Sequence, residues 1–164
     1  MTIRIATIAL ASIALATTAS AQDPVHWTAT SEAKTAAPGA KVDVTLSASI
    51  DKGWHIYSLT QGPGGAIPSE ITVPSGQPFS ISGDIKATPP DVKFDKNFGI
   101  QVETYENKAD FTVPIQVSKK AKSSSKKAQI AVSYEVCNTR ICLPPRMDKV
   151  TVDLHVAKGK ATGL

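Results

Sequence analysis

Most of the usual signs of enzymatic chemistry are missing from this chain. It has no G-x-S-x-G, no phosphate-binding glycine loop and no C-x-x-C. The three histidines, His26, His55 and His155, do not stand at a metal-binding spacing, so neither metal nor cofactor is expected. His155 falls on the polar face of its segment and His26 near the start. His55 shares a strand face with Tyr57 and can edge a site, although an ordinary surface role is the base-rate reading of all three. Charge of one sign is also scarce. The 18 Lys and Arg face 14 Asp and Glu, a net charge of +4, which gives no electrostatic reason to expect nucleic acid. After the first 21 residues no apolar run approaches the roughly 20 residues that a membrane-spanning helix needs. With only two cysteines in 164 residues this is no disulfide scaffold, since a chain of this length can rely on its core. There is no internal repeat and no sustained 3.6-residue period.

What is present begins with an export signal. Arg4 supplies a positive start, "IATIALASIALA" an apolar stretch, and Ala19-Ser20-Ala21 a small-x-small cleavage site. Residues 1–21 are therefore expected to be a signal peptide and the mature protein to be periplasmic or secreted, with no membrane span once the signal is removed. An exported chain meets an oxidising space in which a disulfide can persist.

Beyond residue 40 the apolar residues recur at every second position. Val42, Val44, Leu46 and Ala48 alternate with polar neighbours, as do Phe111, Val113, Ile115 and Val117. Ile130, Val132, Tyr134 and Val136 form a third such run, and Val150, Val152, Leu154 and Val156 a fourth. Alternation places each set on one side of a strand, so these are strands with one buried face. Shorter candidates are "WHIYS", "SEITV", "FSISGDI" and "IQVETYE", set apart by turn segments such as "QGPGG", "PSGQP" and "TPPD". Many short strands joined by Gly and Pro turns indicate an all-β fold, an immunoglobulin-like β-sandwich. The antibody-type Cys…Trp…Cys spacing is missing. The expected organisation is a lead-in over 22–40 holding one edge strand near "VHWTAT", a sandwich domain over 41–157 and a frayed tail over 158–164. "KKAKSSSKK", 119–127, reads as a solvated hairpin tip.

Both cysteines lie in "YEVCNTRICLPP". A turn around "NTRI" brings Cys137 and Cys142 opposite each other, within reach of a disulfide. Closing so short a loop stabilises a fold by only about 2 kcal/mol in the chain-entropy account. If Val136 continues the buried side of its strand, Cys137 falls on the opposite, accessible side with Ser133 and Glu135. Arg140, between the cysteines, can favour a thiolate. The residues thus leave two readings open, a reactive pair or a local staple in a binding or chaperone-like module.

Five stretches taken together resemble a known family. "GWHIYS", "GGAIPSEI", "FDKNFGIQVETYE", "FTVPIQV" and "YEVCNTRICLPPR" follow one another as in the N-terminal periplasmic domain of the thiol:disulfide interchange protein DsbD. The resemblance implies an immunoglobulin-like domain over 41–157 that passes reducing equivalents by thiol–disulfide exchange. It implies that Cys137 and Cys142 are the working pair, on adjacent strands beneath a cap loop, with one residue fewer between them than in the best-known member. It places Asp43 and Tyr57 as the acid and the tyrosine lining the site, and Asn97, Phe98 and Gly99 in the cap. Asn97 occupies the position of the family's cap aromatic, so Phe98 is expected to take over the shielding. The implied partners are a thioredoxin-like protein or a membrane electron-relay protein, because neither kind of segment is found in these 164 residues.

Overall fold

The first two alternating runs become whole strands; the third breaks at Glu135 and the fourth at 153–154. A computed structural model describes residues 22–96, 98–124 and 127–157. The expected signal peptide, the end of the tail and cap residue Asn97 lie outside the described residues. In chain order the strands are β1 (Val25–Ser31), β2 (Thr35–Ala36), β3 (Lys41–Ile50), β4 (Trp54–Tyr57) and β5 (Glu70–Thr72). They continue with β6 (Phe79–Ile81), β7 (Lys86–Ala87), β8 (Asp91–Asp95), β9 (Ile100–Glu106) and β10 (Lys108–Val117). The last four are β11 (Ala128–Tyr134), β12 (Val136–Asn138), β13 (Arg146–Val152) and β14 (His155–Val156). No helix occurs among the described residues.

The longest pairing joins β3 and β10 in antiparallel register, from Lys108 opposite Ser49 to Gln116 opposite Lys41. β1 runs along the other edge of β3, so the segment expected as a lead-in supplies a full edge strand. This sheet has the order β1-β3-β10-β6, with β7 also on β10. A second sheet has the order β13-β11-β5 and a third β12-β4-β9-β8, while β14 and β2 form a parallel pair. Because every second residue points inward, Val44, Leu46 and Ala48 of β3 meet Phe111, Val113 and Ile115 of β10. Ile130, Val132 and Tyr134 of β11 and Val150 and Val152 of β13 complete the same buried cluster. The result is an immunoglobulin-like β-sandwich.

One connection departs from the expectation. β10 and β11 do not form a hairpin across 119–127, because they belong to different sheets. Two strongly alternating neighbours in sequence need not pair when each has a better partner elsewhere: β10 takes β3 and β11 takes β13.

The third sheet positions the cysteines, and it is covered on both faces. Ile56, Tyr105 and Val136 enter the main core. Their opposite-facing neighbours Tyr57, Val102 and Cys137 form a small separate cluster with Ala66, against which Ile100 packs.

Candidate functional site

The cysteine turn is built from its own backbone. Asn138 N–H donates to the Ile141 carbonyl at 2.9 Å, and Leu143 N–H to the Val136 carbonyl at 2.9 Å. The Asn138 side-chain oxygen accepts from Arg140 N–H at 2.8 Å and Ile141 N–H at 2.9 Å, which stiffens the turn from inside. Cys137 and Cys142 face each other as an isolated antiparallel bridge and are joined by a disulfide, with Cα atoms 4.0 Å apart. The turn expected around "NTRI" is therefore present.

The two sulfurs differ in access. Cys142 is exposed, whereas Cys137 is 1% exposed. The expected placement of Cys137 on an accessible face needs correction. The strand breaks at Glu135, between β11 and β12, and Val136 and Cys137 point to opposite faces of a sheet that is covered on both. Alternation still holds locally, but both sides are interior.

β12 pairs with β4, setting Cys137 opposite His55, and β4 pairs with β9, setting Tyr57 opposite Thr104. β8 and β9 form a hairpin whose tip carries Phe98 and Gly99. Gly99 turns that tip with φ +70°, in the left-handed region, and its N–H donates to the Asp95 carbonyl at 2.8 Å. Phe98 N–H donates to Asp95 Oδ1 at 3.3 Å. Phe98, 38% exposed, stands at the rim of a hollow of about 230 Å³ that also takes in His55, Tyr57, Asp95, Arg140 and both cysteines. The cap needs a seat, and Gly65 provides it. A Cβ there would lie 2.8 Å from Ile100 Cδ1 and 3.3 Å from Phe98 Cγ. The stretch leading into this segment is held by Glu103, whose carboxylate accepts from the Ser58 and Thr60 hydroxyls. Gln61 adds to this, its Oε1 accepting from Glu103 N–H at 2.7 Å.

Tyr57 is where the resemblance placed it, in the wall of the disulfide hollow. Asp43 is not. It lies on the exposed side of β3, in a different sheet, where it lines a hollow with Thr30, Glu32 and Lys41. The carboxylates beside the cysteines are Asp95 and Glu135. Asp95 was within reach of the sequence, since it opens the cap segment. Glu135 shares a strand side with Cys137 in the sequence pattern, and its carboxylate lies within 4.8 Å of both sulfurs.

The electrostatics favour neutral side chains around the pair. Burial pushes the Tyr57 hydroxyl up to about 12, and the charges of Asp95 and Glu135 act in the same direction. Burial lowers His55 below its ordinary 6.5, helped by Lys93 and opposed by Glu106 and Asp95. Tyr57 is thus protonated and His55 uncharged at neutral pH. The two share a hydrogen bond of 3.1 Å between His55 Nε2 and the Tyr57 hydroxyl, and their rings meet edge to face at 5.3 Å. Outside them, Lys93 Nζ is ion-paired with Glu106 Oε1 at 2.6 Å, exposed to water.

The geometry can support chemistry at one sulfur. Cys142 is the exposed residue of the pair and Cys137 the buried one, so an incoming thiolate at Cys142 Sγ would have Cys137 as its internal leaving group.

The family model described as "Thiol:disulfide interchange protein DsbD, N-terminal" matches residues 25–154. Among solved structures, the N-terminal periplasmic domain of ScsB from Proteus mirabilis is similar at 19% identity and a TM-score of 0.53. The match covers 84% of this chain and 49% of that one, so this chain spans about half the ScsB domain's length. The DsbD N-terminal domain of Neisseria meningitidis, in its reduced form, matches at 18% identity and a TM-score of 0.46, covering 71% of this chain and 77% of that one. No curated protein matches.

Proposed function

The chain belongs to the family of the N-terminal domain of the thiol:disulfide interchange protein DsbD, and from that premise we propose that it shuttles reducing equivalents between exported proteins through Cys137 and Cys142. The unequal exposure of the two sulfurs carries this reading. A staple has no need of one sulfur at a rim. A shuttle needs one sulfur to meet the partner and one to stay behind.

The cycle balances as two exchanges. A thiolate of a reduced thioredoxin-like partner attacks Cys142 Sγ, the intramolecular bond breaks, and Cys137 leaves as a thiolate that takes up a proton. The partner's second thiolate then attacks its own sulfur in the mixed disulfide and releases Cys142 as a thiolate. Two electrons have entered the domain and the partner is oxidised. In the second exchange the Cys142 thiolate attacks an acceptor's disulfide, and Cys137 resolves the product, restoring the bond. The donor is a thioredoxin-like protein or a membrane electron-relay protein. Residues 1–21 direct the chain to the periplasm or beyond, and 41–157 with the preceding edge strand form the exchange domain. Tyr57 and Phe98, with Gly99 turning the cap, shape the entrance to the pair.

Single-cysteine variants test this directly. Cys137→Ser keeps the accessible thiol and loses the resolving one, so it should accumulate a mixed disulfide with an oxidised thioredoxin-like protein on a non-reducing gel. Cys142→Ser should trap at least tenfold less. No trapping by either variant would return the pair to the role of a structural staple, and equal trapping by both would overturn the choice of Cys142 as the attacking sulfur.

A further inference from the structure

A second use of the pair appears once a carboxylate is counted with it. The Glu135 carboxylate and the sulfurs of Cys137 and Cys142 present donor atoms that all lie within 4.8 Å of one another. We infer that the reduced domain holds a zinc ion on Cys137, Cys142 and Glu135, and that the disulfide is the state that excludes it. This shares with the exchange reading only the requirement that the pair be reducible.

The donor set suits the ion. Zinc takes thiolate sulfur and carboxylate oxygen, at about 2.3 Å and about 2.0–2.2 Å, and commonly leaves a fourth position for water when the protein supplies three ligands. Two sulfurs on a tetrahedral zinc stand about 3.8 Å apart, from that bond length and the tetrahedral angle. The bonded sulfurs must therefore separate, and the exposed Cys142 has the room to move while Cys137 stays buried. Glu135 needs no long reach, since its carboxylate already lies beside both sulfurs. The outer shell is also present. Ile67 N–H donates to Glu135 Oε2 at 3.2 Å, the kind of hydrogen bond that orients a ligating carboxylate. Asp95 and Arg140 also line the hollow and oppose each other in charge, so the donor atoms rather than a field make the site.

The chemistry balances without a hidden reactant. A dithiol reduces the disulfide, taking its own oxidation as the counterpart. The two thiols then bind zinc with release of two protons. Sulfurs held by the metal are not available to attack a partner. Zinc would therefore hold the domain reduced and silent, and a disulfide-forming oxidant would release the ion.

The test uses the whole exported protein, reduced with a phosphine and freed of reductant without air. Zinc ion is titrated against a chromophoric chelator, and cobalt ion is used as a spectroscopic stand-in. One zinc should bind per reduced chain, and none to the oxidised chain. Cys142→Ser should abolish binding and the thiolate-to-cobalt absorption. Glu135→Gln should weaken zinc at least tenfold, with an unchanged melting temperature in the oxidised state confirming that it folds. Reduced protein that takes up no zinc at micromolar ion, or a Glu135→Gln variant that binds as tightly as the parent, overturns the site. Neither result touches the exchange reading, which is measured on metal-free protein by trapping. Zinc binding by a protein that traps no partner would sink the exchange and leave the metal site standing.

Discussion

The sheet built on β3 and β10 and the sheet built on β4, β9 and β12 serve the molecule differently. In the first, inward residues alternate strictly and enter one core: Val44, Leu46 and Ala48 from one strand, Phe111, Val113 and Ile115 from the other. In the second, consecutive residues are buried to opposite sides, Ile56 to the main core and Tyr57 to the cysteine cluster, Val136 to the core and Cys137 to the cluster. Its edge strand β8 is exposed almost throughout, with Val92 at 64% and Phe94 at 59%. One sheet holds the fold together. The other holds the Cys137–Cys142 disulfide at the end of a thin apolar layer, with Cys142 exposed.

The largest expected effect should separate these roles. Phe111 is fully buried and packs edge to face on Tyr105 at 5.5 Å. Phe111→Ala should cost about 3–5 kcal/mol in urea unfolding. The double variant Cys137→Ser/Cys142→Ser should cost only about 2 kcal/mol, because the closed loop is short, and should remain folded at room temperature. A cysteine-free protein without β-type circular dichroism would make the site region the keystone of the fold and reverse the comparison.

A smaller effect should sharpen it. Gly65→Ala places a methyl group 3.3 Å from Phe98 Cγ and 2.8 Å from Ile100 Cδ1, so the cap must give. Overpacking of this kind costs about 1–3 kcal/mol, and the outer position of the cap keeps it at the low end. Reduction of the disulfide by a small thiol should become several-fold faster, and Phe98→Ala should do the same. Rates equal to the parent's in both variants would mean that the cap does not shield the pair.

How much of this could be read from the sequence follows the same division. Strict alternation made β3, β10, β11 and β13 visible, and the turn chemistry of "NTRI" made the disulfide visible. β8 was not, because the sequence shows no one-sided burial in "DVKFD" and none exists. The burial of Cys137 depends on the strand break at Glu135 and on a cover from the Gly65 segment, both set by long-range contacts. Asp43 was placed by an offset along the chain, but sheet order decides which acid meets the cysteines, and it brings Asp95.

The smallest expected effect is a pH dependence confined to the site sheet. His55 has a folded-state pKa below its ordinary 6.5, so its neutral form is the one that folding favours. Its contribution is present above pH 6.5 and is lost as the pH falls through the lower, folded value. Tyr57 is raised to about 12, so its contribution is present below its ordinary 10 and is lost between 10 and about 12. Melting temperatures of His55→Gln should fall less steeply than the parent's below pH 6.5, and those of Tyr57→Phe less steeply above pH 10. Parallel pH profiles for variants and parent would show that neither ring is coupled to folding.

The hydrogen bonds within the Asn138 turn have one more effect. None of them involves a sulfur, so opening the disulfide breaks none of them directly. The freed thiol of Cys137 then remains beside whatever is attached to Cys142, at an effective concentration that no dissolved thiol can match. In the exchange proposed here, a partner joined to Cys142 would be released by a neighbour that never has to be found by diffusion, so the covalent encounter would be brief and its lifetime set by a four-residue turn.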